Sequence, residues 1–227
     1  VRSNNEDHYA VVRRHRGREV LMTNMPPESY IEPKQEAYAF CVADGVGGAA
    51  FGELASMLAL RTGWELTGKA FKWTFRLSES EIAETEAAIN VYVQLIHRRI
   101  KEEVAANENY QGMGTTLTGV LTVGLDAFVV NVGDSRAYLY RRGQLLRLTK
   151  DQTLAELMAS VGLIASADEA ATRFRNTLVG CLGGGFDKVE VETTHLTLES
   201  GDHILLCTDG LSDMVKDSEI SSILSHD

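Results

Sequence analysis

Four short stretches place carboxylates where they could act together. Cys41-Val42-Ala43-Asp44-Gly45-Val46-Gly47-Gly48 sets Asp44 at the end of an apolar run, ahead of glycines. The run His203-Ile204-Leu205-Leu206-Cys207-Thr208 ends the same way in Asp209-Gly210, and Ala127-Phe128-Val129-Val130-Asn131-Val132-Gly133 ends in Asp134-Ser135-Arg136. Asn5-Glu6-Asp7 lies near the start of the chain. Singly, each has an ordinary reading as a turn, a cap or solvated polar sequence. Together, carboxylates at the ends of strands packed in layers share one rim and repel one another unless a cation sits among them. Oxygen donors without His or Cys company select a hard divalent ion, Mg2+ or Mn2+, held by few protein ligands and several waters. Gly45 has no side chain, so its carbonyl can approach an ion that Asp44 already binds, and Gly47 and Gly48 keep the approach open. Arg2, just ahead of the acidic triplet, offers the fork that matches phosphate oxygens; without that triplet it would be an ordinary surface charge.

The elements that must position these groups are mainly short strands. β-branched and aromatic residues fill 38–43, 115–123, 127–132, 136–142, 144–148, 189–198 and 203–208, with Gly and Asp between them, which predicts antiparallel hairpins. Two long helical patterns stand against them. Glu53 to Leu66 places Leu54, Ala55, Leu58 and Ala59 on one side, and Ser80 to Ala106 places Ile82, Ile89, Val93, Ile96 and Ile100 on one face. Shorter helices are predicted at Thr153 to Ser160, Ala167 to Arg173 and Asp217 to Leu224, the last capped by Asp217 or Ser218. Strands and helices are grouped rather than alternating, so the expected class is α+β in layers, not a doubly wound parallel sheet.

Composition narrows the partners. At 227 residues the chain can bury a substantial core, and it reads as one domain without a linker or internal repeat. A net charge of −10 argues against nucleic acid, which needs a basic face. The one basic cluster, Arg13-Arg14-His15-Arg16-Gly17-Arg18, is short and is expected at a solvated hairpin tip. Cys41, Cys181 and Cys207 have no metal-ligand spacing and are expected to be reduced thiols in a cytoplasmic protein. No run approaches a membrane span, and no membrane partner is expected.

These residues resemble the metal-dependent protein phosphatases of the protein phosphatase 2C type, bacterial members in particular. The resemblance runs in order through Arg2-x-x-Asn5-Glu6-Asp7, Val42 to Gly48, Met113-Gly114-Thr115-Thr116, Val132-Gly133-Asp134-Ser135-Arg136-Ala137-Tyr138, Leu148-Thr149-Lys150-Asp151-Gln152 and Leu205 to Asp213. It implies a four-layer α-β-β-α sandwich, two antiparallel β-sheets flanked by helices, with two or three Mn2+ or Mg2+ ions at one end. By the same resemblance Asp44 bridges two metals, the Gly45 carbonyl binds one and Asp209 the other. Glu6 acts through metal-bound water, Asp7 supports the site, Arg2 clamps phosphate, and Asp134 and Asp213 join Asp209 in a third site. The implied activity is hydrolysis of phosphoserine and phosphothreonine in proteins. A water shared by the cations attacks phosphorus in line, with no covalent phosphoenzyme. The partners implied are phosphorylated proteins and a cognate kinase, with the enzyme taken as a monomer. The segment from Asp151 to Gly185 corresponds to the family's flap beside the site, where a packed helical hairpin without a gating role is the other reading.

Three departures stand out. Val46 takes the place of a His that animal members carry, and Gln152 the place of another. The family's closing Asp-Asn motif is absent, so residues 1–227 are read as a phosphatase domain lacking the final C-terminal strand or strands, through truncation or with impaired metal affinity. The alternatives are a catalytically impaired phosphoprotein-binding module of the same fold and a structural metal-binding domain. The retention of Arg2, Asp44, Gly45 and Asp209 argues against the first, and the second leaves Arg2 as a coincidence.

Overall fold

The structure is a computed structural model and describes residues 5–16, 22, 35–46, 51–67, 77–167, 170 and 172–226. Strands are β1 (Asp7–Arg16), β2 (Gln35–Val46), β3 (Gly114–Thr115), β4 (Leu117–Val123), β5 (Asp126–Val132), β6 (Arg136–Arg141), β7 (Gln144–Arg147), β8 (Leu182–Gly183), β9 (Glu192–Thr197) and β10 (His203–Cys207). Helices are α1 (Gly52–Thr67), α2 (Glu79–Ala106), α3 (Leu154–Ser160), α4 (Thr172–Arg175), α5 (Asp209–Ser212) and α6 (Asp217–Leu224). Among the described residues one antiparallel sheet has seven strands in the order β8-β3-β2-β4-β5-β9, with β1 also on β2; the other has three, β10-β6-β7.

The side-chain alternation of β4 and β5 shows why the layers stack. Phe128, Val132 and Leu117 point to one face, where they pack with Ala55, Ala59, Ile89, Val93, Ile96 and Ile100 of α1 and α2. Val120, Ala127 and Val129 point to the other face and meet Ala137, Ile204 and Leu206 of the smaller sheet. Both faces of the central strands are therefore buried, which is why they read as near-continuous apolar runs. The helix α6 packs on β7, outside the smaller sheet. The expected α+β class and the order helix, sheet, sheet, helix are both found.

Local chemistry fixes the ends of these elements. Ser78 opens α2 with a capping box: its backbone N–H donates to Glu81 Oε2 at 2.9 Å and its hydroxyl accepts the Glu81 N–H at 3.4 Å. The hairpin between β6 and β7 turns through Arg142 (φ 52°) and Gly143 (φ 79°), the pair of positive φ angles a two-residue turn needs to match strand twist.

Three expectations need correction. Arg13 to Arg16 lie inside β1, paired with β2 from Gln35 to Tyr38, and not at a hairpin tip; Gly17 and Arg18 lie outside the described residues. The short helix expected at Ala167 to Arg173 is found at Thr172–Arg175. The cap position of α6 is Lys216, whose N–H donates to Glu219 Oε2 at 3.1 Å, so Asp217 sits in the first turn and accepts the Tyr138 hydroxyl at 3.0 Å.

Candidate active site

Antiparallel pairing of β1 with β2 sets Asp7 directly opposite Asp44. The C-terminal end of β10 brings Thr208 and Asp209 to the same rim, and the Thr208 hydroxyl donates to Asp7 Oδ2 at 3.1 Å. The turn after β5 supplies Asp134. It can do so because Gly133 has φ 106° and a Cβ there would stand 2.6 Å from the Thr116 Cγ2. Asp213, one helical turn beyond Asp209, donates its N–H to the Asp209 carbonyl at 2.8 Å. The expected convergence is thus found for Asp7, Asp44, Asp134 and Asp209, with Asp213 beside Asp134.

Two carboxyls of this rim are shifted by their surroundings. Burial, followed by the charges of Asp7 and Asp209, pushes the Asp44 carboxyl up to about 8, and its side chain shares a hydrogen bond with Asp209. Burial and then Asp209 and Asp151 push Asp134 up to about 7. Carboxylates crowded in this way repel one another, and a divalent cation relieves that repulsion. Among the described residues no three His, Cys, Asp or Glu side chains form a ready-made metal cage.

Asp44 is gripped through its backbone. Its N–H donates to Thr116 Oγ1 at 2.9 Å, and its carbonyl accepts both the Thr115 hydroxyl and the Thr116 N–H at 2.9 Å. Thr116 Oγ1 lies 2.8 Å from Ser135 Oγ, tying the grip to the Asp134 turn. Behind it, the Thr118 hydroxyl donates to Asn131 Oδ1 at 2.5 Å and lies 3.0 Å from the Ser135 carbonyl, and all of Thr115, Thr116, Thr118, Asn131 and Ser135 are fully buried. Gly45 continues the grip, its N–H donating to the Glu6 carbonyl at 3.2 Å. A Cβ on Gly45 would fall 2.3 Å from the Gly52 carbonyl carbon, so the chain must be bare where β2 meets the start of α1. Glu6 is buried, and its Oε2 lies against Gly52, where an added Cβ would come within 2.9 Å. Arg2, Gly47 and Gly48 lie outside the described residues, so the phosphate clamp has no observed position.

The pattern of the protein phosphatase 2C family matches residues 16–226. A serine/threonine phosphatase stp of Listeria monocytogenes is 33% identical over 216 residues, which are 95% of this chain and 82% of that protein. The chain belongs to the protein phosphatase 2C family of serine/threonine phosphatases. Among solved structures, the Mycobacterium tuberculosis serine/threonine phosphatase PstP/Ppp superposes with a TM-score of 0.73 at 30% identity, covering 98% of this chain and 79% of that one. The catalytic domain of PstP in complex with 2 manganese ions superposes with a TM-score of 0.70 at 29% identity, covering 99% and 80%.

For a protein phosphatase 2C member, several supporting residues lie outside the sequence-read site. Gln152, whose substitution for His carried no evident meaning, bridges two loops: its Oε1 accepts the Gly133 N–H at 3.0 Å and its Nε2 donates to the Glu190 carbonyl at 3.0 Å. It thereby holds the turn that presents Asp134. Asp151 is clamped by Arg136, with Nη2 to Oδ2 at 2.7 Å, and by Arg147, and its charge still adds to the push on Asp134. The flap segment returns on itself, Leu154 N–H donating to the Thr177 carbonyl at 2.8 Å and Val179 N–H to the Gln152 carbonyl at 2.9 Å. Gly52 and the buried Thr118 also went unread, and Thr115 and Thr116 were read only as part of a motif, without a role. The three cysteines are free, with Cys181 and Cys207 buried and Cys41 half-buried, and among the described residues no helix is long and apolar enough to cross a membrane.

Proposed function

We propose that this rim hydrolyses phosphoserine and phosphothreonine in protein substrates with Mn2+ or Mg2+ as cofactor. The observation that carries the reading is the meeting of Asp7, Asp44, Asp134 and Asp209 at one partly buried rim, where burial and then the neighbouring carboxylates raise Asp44 and Asp134. Asp44, the Gly45 carbonyl and Asp209 are assigned to two metal positions, and Asp134 with Asp213 to a third. The bound cations would supply an activated water and neutralise charge on the transferring phosphoryl group. The chain's own contributions are distinct from that. Thr115 and Thr116 fix the Asp44 main chain so that its carboxylate does not need to reorganise. Asp7 is oriented by the Thr208 hydroxyl, and Glu6 is held in the buried angle between Gly45 and Gly52. Arg2 is assigned to the phosphate.

The test is phosphate release from a phosphothreonine peptide with Mn2+ added and then chelated, on the native chain and on Asp209→Asn. Turnover that needs Mn2+ and is lost in the variant supports the assignment. Peptide binding without turnover at any Mn2+ concentration would replace it with the impaired binding module.

A further inference from the structure

The long helix α2 is polar on its exposed side, but three of its polar residues do not face solvent chemistry alone. Gln94, His97 and Lys101 follow one another at helical spacing along one stripe and all reach the same returning segment, residues 183–189. Gln94 Nε2 donates to the Val189 carbonyl at 2.9 Å. His97 Nδ1 accepts the Gly183 N–H at 3.1 Å, and Lys101 Nζ donates to the Phe186 carbonyl at 3.2 Å and to Asp187 Oδ1 at 3.0 Å. His97 is buried, and among the described residues its Nε2 has no hydrogen-bond partner. What this imidazole does in the fold is set by Nδ1, which holds the main chain of the returning segment at Gly183.

That bond lands on a junction with no slack. Gly183 pairs with Gly114 of β3, and the Gly184 N–H donates to the Met113 carbonyl at 2.8 Å. A Cβ at Gly183 would stand 2.6 Å from both Ile100 Cγ2 and the Met113 carbonyl oxygen, and one at Gly114 would stand 2.8 Å from the Gly184 nitrogen. Backbone therefore packs directly on backbone, and a shift of Gly183 is passed to Gly114. The residue after Gly114 is Thr115, whose hydroxyl holds the Asp44 carbonyl and which pairs with Gly45.

We propose that the Gln94, His97 and Lys101 stripe is a clamp on the segment leaving the flap, and that His97 is a positioning residue for Asp44, acting through Gly183 and β3. The coupling to Asp44 rests on the metal-site assignment above; the clamp itself does not. Burial, and then the Lys101 ammonium, hold His97 below the usual histidine range, so it stays neutral with Nδ1 free to accept.

The experiment compares the native chain with His97→Leu, His97→Asn and Lys101→Met. Amide hydrogen exchange over residues 182–189 and the Mn2+ dissociation constant by calorimetry are read on each, beside the thermal melt. His97→Leu strands the Gly183 N–H and is expected to speed exchange there by about tenfold and weaken Mn2+ binding by about three- to tenfold. Asn keeps an acceptor near the position of Nδ1 and is expected to recover most of both. A melt lowered without any change in exchange or Mn2+ affinity, or an Asn variant as impaired as Leu, would overturn the proposal. If His97→Leu does not melt cooperatively, Lys101→Met carries the test: faster exchange at Phe186 and Asp187 supports the clamp, and unchanged exchange refutes it. A native chain that binds no Mn2+ would sink the metal-site assignment and the coupling with it, while the clamp would still be decided by exchange alone.

Discussion

Thr116 and Asp44 hold each other reciprocally: the Asp44 N–H donates to the Thr116 hydroxyl at 2.9 Å, and the Thr116 N–H donates to the Asp44 carbonyl at 2.9 Å. The hydroxyl also meets Ser135 at 2.8 Å, in a fully buried setting. Thr116→Val keeps the shape and deletes the oxygen, leaving the Asp44 N–H without its acceptor. The expected loss is about 1–3 kcal/mol of stability in urea unfolding, accompanied by weaker Mn2+ binding. Thr116→Ser is expected to restore most of it. A Val variant as stable as the native chain would show that the grip is redundant.

The raised carboxyls set a pH dependence with a definite sign. Asp44 and Asp134 titrate at about 8 and about 7 in the folded chain, against a model-peptide value of 3.8. Between those limits the folded state binds more protons than the unfolded one, so stability falls as pH rises. The metal-free protein is therefore expected to have its favourable contribution from these groups intact below about pH 4 and to lose it through pH 7 and 8. Melting temperatures in chelator at pH 5, 6, 7 and 8 should decline as far as these two groups decide it. Mn2+ would compete with the protons on Asp44 and Asp134, so binding should tighten with pH and release protons, seen as a buffer-dependent calorimetric heat. A melt that rises with pH up to 8 in chelator would contradict the cluster's electrostatics.

Asp209→Asn separates function from stability. The substitution removes one charge from a crowd that already repels itself, so in chelator the variant should melt at the same temperature or higher than the native chain. In Mn2+ the order should reverse, because the native chain gains binding free energy that the variant lacks. A crossing of the two melting curves with metal is the expected signature. A variant that is less stable in both conditions would mean that Asp209 serves packing or capping of α5 instead.

Much of this site was legible because an acidic residue after an apolar run is marked locally, although β2 runs on through Asp44 and Gly45 to Val46. Asp44-Gly45 and Asp209-Gly210 announce themselves as acidic stops after apolar runs, and the stripes of α1 and α2 follow directly from helical spacing. β1 was not legible. It lies at the edge of its sheet, with Tyr9 and Val11 exposed, and its Arg13 to Arg16 end carries the charged residues that edge strands favour, so it lacks a simple apolar pattern. The threonine grip was hidden for another reason: Thr116 and Asp44 are 72 residues apart, and nothing local to either specifies the partner. Gln152 looked like a lost His because its two bonds, to Gly133 and Glu190, exist only once the loops have met.

Arg136 offers a test of how far the cluster's titration reaches. Its Nε lies 3.1 Å and 3.2 Å from the two Asp151 oxygens, and its Nη2 donates to Oδ2 at 2.7 Å, a fork that Lys cannot reproduce. Its Nη1 also donates to the Tyr138 hydroxyl at 3.3 Å, which in turn donates to Asp217 of α6. Arg136→Lys keeps the charge and loses the fork, so a stability loss of about 1.5–3 kcal/mol is expected in urea unfolding. The pair is partly buried, with side-chain exposures of 19% and 13%, so solvent screening does not erase the effect. Asp151 is one of the charges that hold Asp134 up to about 7, and a looser neutralisation of Asp151 strengthens that push. The pH at which Mn2+ activation is half-complete should therefore move upward in the variant. An unchanged midpoint together with the stability loss would confine Arg136 to joining β6, the Asp151 loop and α6, with Asp134 titrating independently of it.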